Sequence, residues 1–111
     1  MAAAMAETVY TKSELIAVLR DFSREFQIPA VYLFGSYARD EAPPESDVDI
    51  VIDSRNIHGL LEFERARQYL SSRLGKSIDM ISMQAIEDEK DFPYRKSFML
   101  SYLKDRVKID V

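Results

Sequence analysis

Apolar residues recur at helical spacing in two long stretches of the chain. The first stretch follows Thr11, which has Glu14 three positions later as in a capping box, and it predicts a helix that ends near Phe26. Pro29 lies beyond that end, where it prevents the helix from continuing. The second stretch predicts a helix that ends at Gly75. Its apolar positions are Leu60, Leu61, Phe63, Ala66, Tyr69, Leu70 and Leu74.

Shorter apolar runs between and after these helices predict strands. Residues 31–34 are apolar or aromatic, residues 48–52 are β-branched apart from Asp49, and residues 77–81 form a third candidate strand. A short helix is expected over residues 82–86, and a last helix is expected to start near Pro93. A final edge strand is predicted where apolar residues alternate with charged ones. These apolar residues are Val107, Ile109 and Val111.

The elements alternate along a chain of 111 residues, which is the usual size of a single domain. Their order predicts an α+β fold, an α/β sandwich in which a mixed sheet of about four strands carries helices on one face. Residues 1–10 are expected to be a disordered start or a cloning remnant, and residues 11–111 to form the domain. Little mass remains for a separate recognition domain, so a partner chain or very few contacts must recognise the substrate.

Charge and composition narrow the classes of function. The net charge of −4 argues against a dedicated nucleic-acid binder, so no direct nucleic-acid binding is expected. Nucleotide binding is still compatible with this negative charge, because a divalent metal can hold phosphates and carboxylates together. The chain has no cysteine, and its single histidine, His58, is interpreted as a surface residue, so thiolate and histidine metal sites are not expected. No apolar run approaches the ~20 residues of a membrane span, and a cytoplasmic protein is expected.

Two short motifs carry candidate chemistry. Gly35 and Ser36 follow the first strand, where glycine lets the backbone approach a ligand and the serine hydroxyl adds a donor for phosphate. Asp47 and Asp49 are two positions apart in a strand and therefore share a face. Carboxylate oxygens suit Mg²⁺ or Mn²⁺. Each motif alone also has an ordinary explanation. Gly35 and Ser36 fit a simple turn, and Asp47 and Asp49 fit a solvent-exposed strand edge.

A third carboxylate makes the combination more specific. Asp79 lies between Ile78 and Met80, which is an unfavourable place for an aspartate unless it has a role or faces solvent at an edge. If its strand lies beside that of Asp47 and Asp49, the three carboxylates converge. Such a site suits two-metal phosphoryl or nucleotidyl displacement.

Neighbouring residues are candidates for supporting roles. Arg39 lies one turn after Ser36, where its guanidinium either reaches a phosphate or pairs with Asp40 or Glu41 as an ordinary surface arginine. Ser46 directly precedes the first aspartate and is a candidate to cap or orient it.

Three further residues beside the motifs are less informative. Asp53 would share a strand face with Asp47 and Asp49, because it lies an even number of residues away from them. It is nevertheless expected to be a turn residue at the end of the strand. Tyr32 is expected to pack in the core. For Tyr37, core packing and support of a nucleotide base both stay open.

The string GSYARDEAPPESDVDIVID, which runs from Gly35 to Asp53, resembles the minimal nucleotidyltransferase (MNT) family of the DNA polymerase β-like superfamily. Residue types, spacing and secondary-structure context all agree, and the resemblance extends from Ser13 to Val111. Asp40 stands where the family commonly has glycine. The resemblance implies a nucleotidyltransferase fold, with residues 11–111 as a minimal nucleotidyltransferase domain.

The resemblance also implies roles for the motif residues. Gly35 and Ser36 would hold the β- and γ-phosphates of ATP, with Arg39 as a further nucleotide-binding candidate. Asp47 and Asp49 would bridge two Mg²⁺ ions, for which Mn²⁺ is an alternative. Asp79 would complete the catalytic metal site and help to deprotonate the attacking hydroxyl. That hydroxyl would attack the α-phosphorus, and pyrophosphate would leave.

Three functions from different classes follow as expectations. Proteins of this appearance are often antitoxins that transfer AMP from ATP to a tyrosine hydroxyl of a HEPN ribonuclease, which makes a HEPN-domain protein the expected partner. The alternatives are a small-molecule nucleotidyltransferase of the aminoglycoside-modifying type, working with a partner chain, and a non-catalytic antitoxin that masks its partner by contact. A homo-oligomer and a hetero-oligomer are both compatible with the sequence.

Overall fold

The computed structural model describes residues 9–109. Residues 1–8 of the expected disordered start and Val111 of the expected last strand lie outside the described residues. The helices are α1 (Lys12–Glu25), α2 (Gly35–Ala38), α3 (Gly59–Leu74), α4 (Met83–Glu89) and α5 (Lys96–Asp105), with a 3₁₀ turn at Pro93–Arg95. The strands are β1 (Val31–Phe34), β2 (Val48–Ile52), β3 (Ile78–Ser82) and β4 (Val107–Lys108). Within residues 9–109, no helix is long and apolar enough to cross a membrane.

The ends of the two long helices follow the local sequence signals. The Thr11 hydroxyl accepts a hydrogen bond from the Glu14 N–H at 3.1 Å, and the Glu14 carboxylate accepts one from the Thr11 N–H at 2.8 Å. This reciprocal capping box starts α1. Gly75 ends α3 in the left-handed conformation, with φ of +64°. Both predicted boundaries are confirmed.

The four strands form one mixed sheet in the order β3-β2-β1-β4. Strand β2 runs parallel to β3, and β1 runs antiparallel to both β2 and β4. The predicted edge strand is confirmed at Val107–Lys108, and Ile109 continues its path by donating its N–H to the Val31 carbonyl at 2.9 Å. The α+β class and the mixed four-stranded sheet are therefore confirmed.

One face of the sheet carries the main hydrophobic core. Alternate residues of β1 and β2 pack there against α1 and α3, and nearly all of them are inaccessible to solvent. These strand residues are Val31, Leu33, Val48, Ile50 and Ile52, and they meet Leu15, Leu19 and Phe22 of α1 and Ala66, Leu70 and Leu74 of α3. Most of the folding free energy from apolar burial comes from this layer.

The opposite face is also covered, which corrects the expectation of helices on one face only. Val51 and Phe34 pack there with Ile86 of α4 and Tyr102 of α5 in a second, smaller cluster. The rings of Phe34 and Tyr102 meet edge to face, with their centroids 5.6 Å apart. The physical reason is visible in β1 and β2, whose residues are almost all apolar at both parities and so require cover on both sides.

Candidate active site

The Gly-Ser turn lies directly against a carboxylate of the neighbouring strand. Phe34, the last residue of β1, is paired with Asp49 of β2. Gly35 follows with φ of +74°, and a Cβ built on it would lie 2.3 Å from Asp49 Oδ2. Glycine is required here both by the left-handed backbone and by the close approach of the carboxylate. The turn and the acidic strand are thus one structural unit.

The register of the sheet brings two of the predicted carboxylates together. Asp49 and Asp79 are direct partners across the parallel strands β2 and β3. Because partner residues point to the same face and neighbouring strands lie about 4.8 Å apart, the two side chains are adjacent. Asp79 is exposed, whereas Asp49 is partly buried. Both lie on the face that carries the smaller cluster.

Asp47 occupies the loop directly before β2 and is exposed. The loop is fastened at two points. The Ser36 hydroxyl donates to the Ser46 hydroxyl at 3.1 Å, and the ammonium group of the buried Lys76 donates to the Pro44 carbonyl at 2.6 Å. The structure therefore pairs Ser46 with Ser36, which ties the first aspartate to the Gly-Ser turn through its neighbour.

The three carboxylates interact electrostatically. Burial first, and then repulsion from Asp79 and Asp47, raise the pKa of Asp49 from 3.8 to about 6. The positive charge of Arg39 acts in the opposite direction. A carboxylate held in partial burial beside two like charges is unfavourable without a cation, and such perturbed groups concentrate at functional sites.

The donor chemistry of this cluster fits a divalent cation, although its geometry is open. Within residues 9–109, no group of three or more His, Cys, Asp or Glu side chains is arranged to hold a metal ion. The three aspartates supply only hard oxygen ligands, which Mg²⁺ and Mn²⁺ prefer. Asp47, Asp49 and Asp79 therefore supply the right kind of ligand, while the described side chains are not arranged as a ready-made ion site.

Arg39 is held by two carboxylates at the edge of the site. Its Nε donates to Glu41 Oε2 at 3.3 Å, and its Nη1 donates to Asp105 Oδ2 at 3.2 Å. The sequence offered Glu41 as one of two acidic neighbours, and this pairing is present. Asp105 at the end of α5 is a tertiary partner that no local pattern indicates.

The other acidic neighbour, Asp40, lies where the loop backbone is left-handed. It has φ of +58°, a left-handed conformation that aspartate tolerates better than most residues. Its carboxylate pairs with Lys12 at 3.2 Å. Asp40 thus keeps the loop shape that a glycine would give, and its charge has a cationic partner on α1.

The structure also shows the surroundings of four other residues considered in the sequence analysis. Tyr37 is 2% exposed in the main core, which favours packing over support of a base. Tyr32 packs at the smaller cluster, as expected, and His58 is exposed. Asp53 does follow β2, but it is 2% exposed and bonded to Arg55 and Gln84, a burial that its turn position did not indicate.

Comparison with known proteins identifies the family of this chain. A family model described as "Nucleotidyltransferase domain" matches residues 15–106. The protein adenylyltransferase MntA of Thermococcus cleftensis is 34% identical over 76 residues, which are 68% of this chain and 77% of that protein. The chain therefore belongs to the nucleotidyltransferase domain family, and the resemblance to minimal nucleotidyltransferases is confirmed.

Solved structures confirm the fold. A crystal structure of a toxin–antitoxin complex with AMP-PNP aligns with a TM-score of 0.66 at 16% identity, covering 86% of this chain and 72% of that one. A complex of the tri-AMPylated Shewanella oneidensis HEPN toxin with its MNT antitoxin aligns with a TM-score of 0.53 at 17% identity, covering 99% of this chain and 72% of that one. At such identities, the likeness concerns the architecture alone.

Proposed function

We propose that this chain is a Mg²⁺-dependent nucleotidyltransferase that transfers AMP from ATP to a hydroxyl of a partner protein. The observation that carries the proposal is the cross-strand pair of Asp49 and Asp79 beside Gly35. Family membership and the resemblance to a protein adenylyltransferase supply the reaction class. The acceptor that we infer is a tyrosine of a HEPN-domain ribonuclease, whose toxicity the transfer would end. The structural neighbours named as toxin–antitoxin complexes support this choice.

In the proposed reaction the acceptor oxygen attacks the α-phosphorus of ATP. A new phosphorus–oxygen bond forms, the bond from the α-phosphorus to the bridging oxygen breaks, and pyrophosphate leaves with that electron pair. Asp79 accepts the proton of the attacking hydroxyl. Gly35 and Ser36 hold the β- and γ-phosphates at the end of β1, and Arg39 adds positive charge at the same edge.

Metal ions are assigned to Asp47, Asp49 and Asp79. Nucleotidyltransferases of this family generally use a divalent metal. Bound there, two Mg²⁺ ions would neutralise charge on the phosphates and align the attacking and leaving oxygens. The raised pKa of Asp49 fits this role, because a cation would relieve the repulsion that raises it.

The decisive experiment measures transfer from α-³²P-labelled ATP with Mg²⁺ to a HEPN-domain ribonuclease, taken from a gene adjacent to this one where such a gene exists. Wild type should label that protein, and mass spectrometry should locate AMP on a tyrosine. The double variant Asp47→Asn with Asp49→Asn should lose transfer by on the order of 1,000-fold. The matched control is Asp21→Asn with Glu25→Gln, which removes the same charge from α1 and should transfer normally.

The same assay separates the alternatives. Neutralisation of the ribonuclease by the double variant, without label, would establish a non-catalytic antitoxin. That outcome has one structural argument in its favour, since the carboxylates of residues 9–109 are not arranged as a closed ion site. Label on an aminoglycoside in the absence of a partner protein would instead establish a small-molecule enzyme.

A further inference from the structure

The Arg39–Asp105 pair joins two segments that lie 66 residues apart in sequence. Arg39 is the C-cap of α2, the short helix of the Gly-Ser motif, and Asp105 is the last residue of α5. The carboxylate of Asp105 is 14% exposed, whereas that of Glu41, the other partner of Arg39, is 66% exposed. The better shielded of the two contacts therefore comes from the C-terminal helix.

Asp105 occupies a position that is unfavourable for an acid. The C-terminal end of a helix carries partial negative charge, so a carboxylate in the last turn destabilises the helix. Shielding from solvent adds to this penalty. Apart from a 3.5 Å hydrogen bond from Ser101, the compensating contact is the one with Arg39. A residue that is poorly suited to its own helix, yet paired across the fold, points to a role outside that helix.

The two anchors leave most of the guanidinium available. Arginine has five N–H donors, of which Glu41 engages the Nε–H and Asp105 engages one on Nη1. Both Nη2 donors and the second Nη1 donor have no role in these two bonds. An arginine that is already fixed loses less side-chain freedom when an anion binds, so the anion binds more tightly.

We propose that Asp105 is a positioning residue, which holds the Arg39 guanidinium at the edge of the site so that its remaining N–H groups meet the phosphates of ATP. The inference rests on the proposed function, because it requires that this site binds ATP. It goes beyond that function by assigning a role to the end of α5, outside the motif. Asp105 acts through Arg39 and does not itself touch the nucleotide.

The test is a double-mutant cycle on the dissociation constant of ATP with Mg²⁺, measured by calorimetry on the full chain. Arg39→Ala should weaken binding about 10-fold and Asp105→Asn about 5-fold, the range expected for a charged hydrogen bond. The double variant should bind no more weakly than Arg39→Ala alone, because Asp105 acts only through the arginine. Asp105→Glu should restore binding to within about twofold of wild type.

The control is Asp21→Asn, which breaks an ion pair with Arg73 of 2.8 Å on helices remote from the site and should leave ATP affinity unchanged. If Asp105→Asn does not fold, Arg39→Lys replaces it, since lysine keeps the charge but lacks the fork that reaches both anchors. Arg39→Lys should then weaken binding about as much as expected for Asp105→Asn.

Three results would overturn the inference while the proposed function stands. The first is that Asp105→Asn binds ATP as tightly as wild type or more tightly. The second is that Asp105→Asn weakens ATP binding by the same factor whether residue 39 is arginine or alanine. The third is that Arg39→Lys binds ATP with wild-type affinity. Failure of the wild-type chain to bind ATP would overturn the proposed function together with this inference.

Discussion

The two faces of the sheet are built from the same strands but serve different ends. On one face, Ile50 and its neighbours are fully buried against α1 and α3. On the other face, the adjacent residue Asp49 is only partly buried, and repulsion from two carboxylates acts on it. Alternation along β2 thus separates stability from chemistry by a single residue. Substitutions at Ile50 and at Asp49 should therefore change the free energy of unfolding in opposite directions.

The largest effect is expected on the buried face. Ile50→Ala should lower the free energy of unfolding by about 3–4 kcal/mol, because it removes most of a fully buried side chain and leaves a cavity in the main core. Denaturation by guanidinium would measure the loss. A loss below about 1 kcal/mol would mean that this face is not the principal source of stability.

A glycine substitution tests how closely the turn and the acidic face are joined. Gly35→Ala should reduce AMP transfer by about 100-fold, or about 2.7 kcal/mol, because the new methyl group displaces the Asp49 carboxylate. Gly59→Ala is the matched control. Gly59 has a similar φ of +83°, but a Cβ there meets no atom within 4 Å. Both variants place a side chain on a left-handed backbone, which should cost about 1–2 kcal/mol of stability, and Gly35→Ala carries the clash with Asp49 in addition. Equal transfer by the two would contradict the proposed site.

The smallest effect concerns pH and has the opposite sign to the core substitution. The folded pKa of Asp49, about 6, lies above its ordinary value of 3.8, so the folded state binds more protons between these limits. Stability attributable to Asp49 therefore falls as pH rises from about 4 to 6 and stays low above that range. In EDTA at pH 8, Asp49→Asn should be more stable than wild type by about 1–2 kcal/mol, a value reduced for partial solvent exposure.

The control for this titration is the same comparison at about pH 3, below the ordinary pKa of 3.8, where the two proteins should have nearly equal free energies of unfolding. Asn and protonated Asp are both neutral, so the electrostatic difference disappears. If Asp49→Asn is less stable than wild type at pH 8, the surroundings of Asp49 stabilise its charged carboxylate, contrary to the burial and repulsion described above.

Local sequence signals predicted the elements well because the determinants of these elements are local. The Thr11–Glu14 capping box, the apolar runs of β1 and β2, and Gly75 each act within a few residues. The fold class and the family also followed, because the residue types and spacing of Gly35, Ser36 and the aspartates resemble those of minimal nucleotidyltransferases.

Tertiary features were less accessible from the sequence. Cover on both faces was missed, although the apolar residues at both parities of β1 contained the signal. The partner of Arg39 lies 66 residues away, and the burial of Asp53 depends partly on Gln84 of α4. Such pairings arise from the packing of helices against the sheet, and a single sequence provides no direct measure of them.

The pairing of Asp49 with Asp79 also has a consequence for the order of events during folding. Parallel neighbours cannot be joined by a tight turn, and here the connection contains the whole of α3. On the ribosome, a chain that has reached β2 already contains the Gly-Ser turn and two of the acids, but the third acid is still to be made. The candidate site therefore assembles only after the crossover has closed, a non-local step that is slow compared with helix formation. Competence for nucleotide chemistry is thus a late event in the maturation of this small domain.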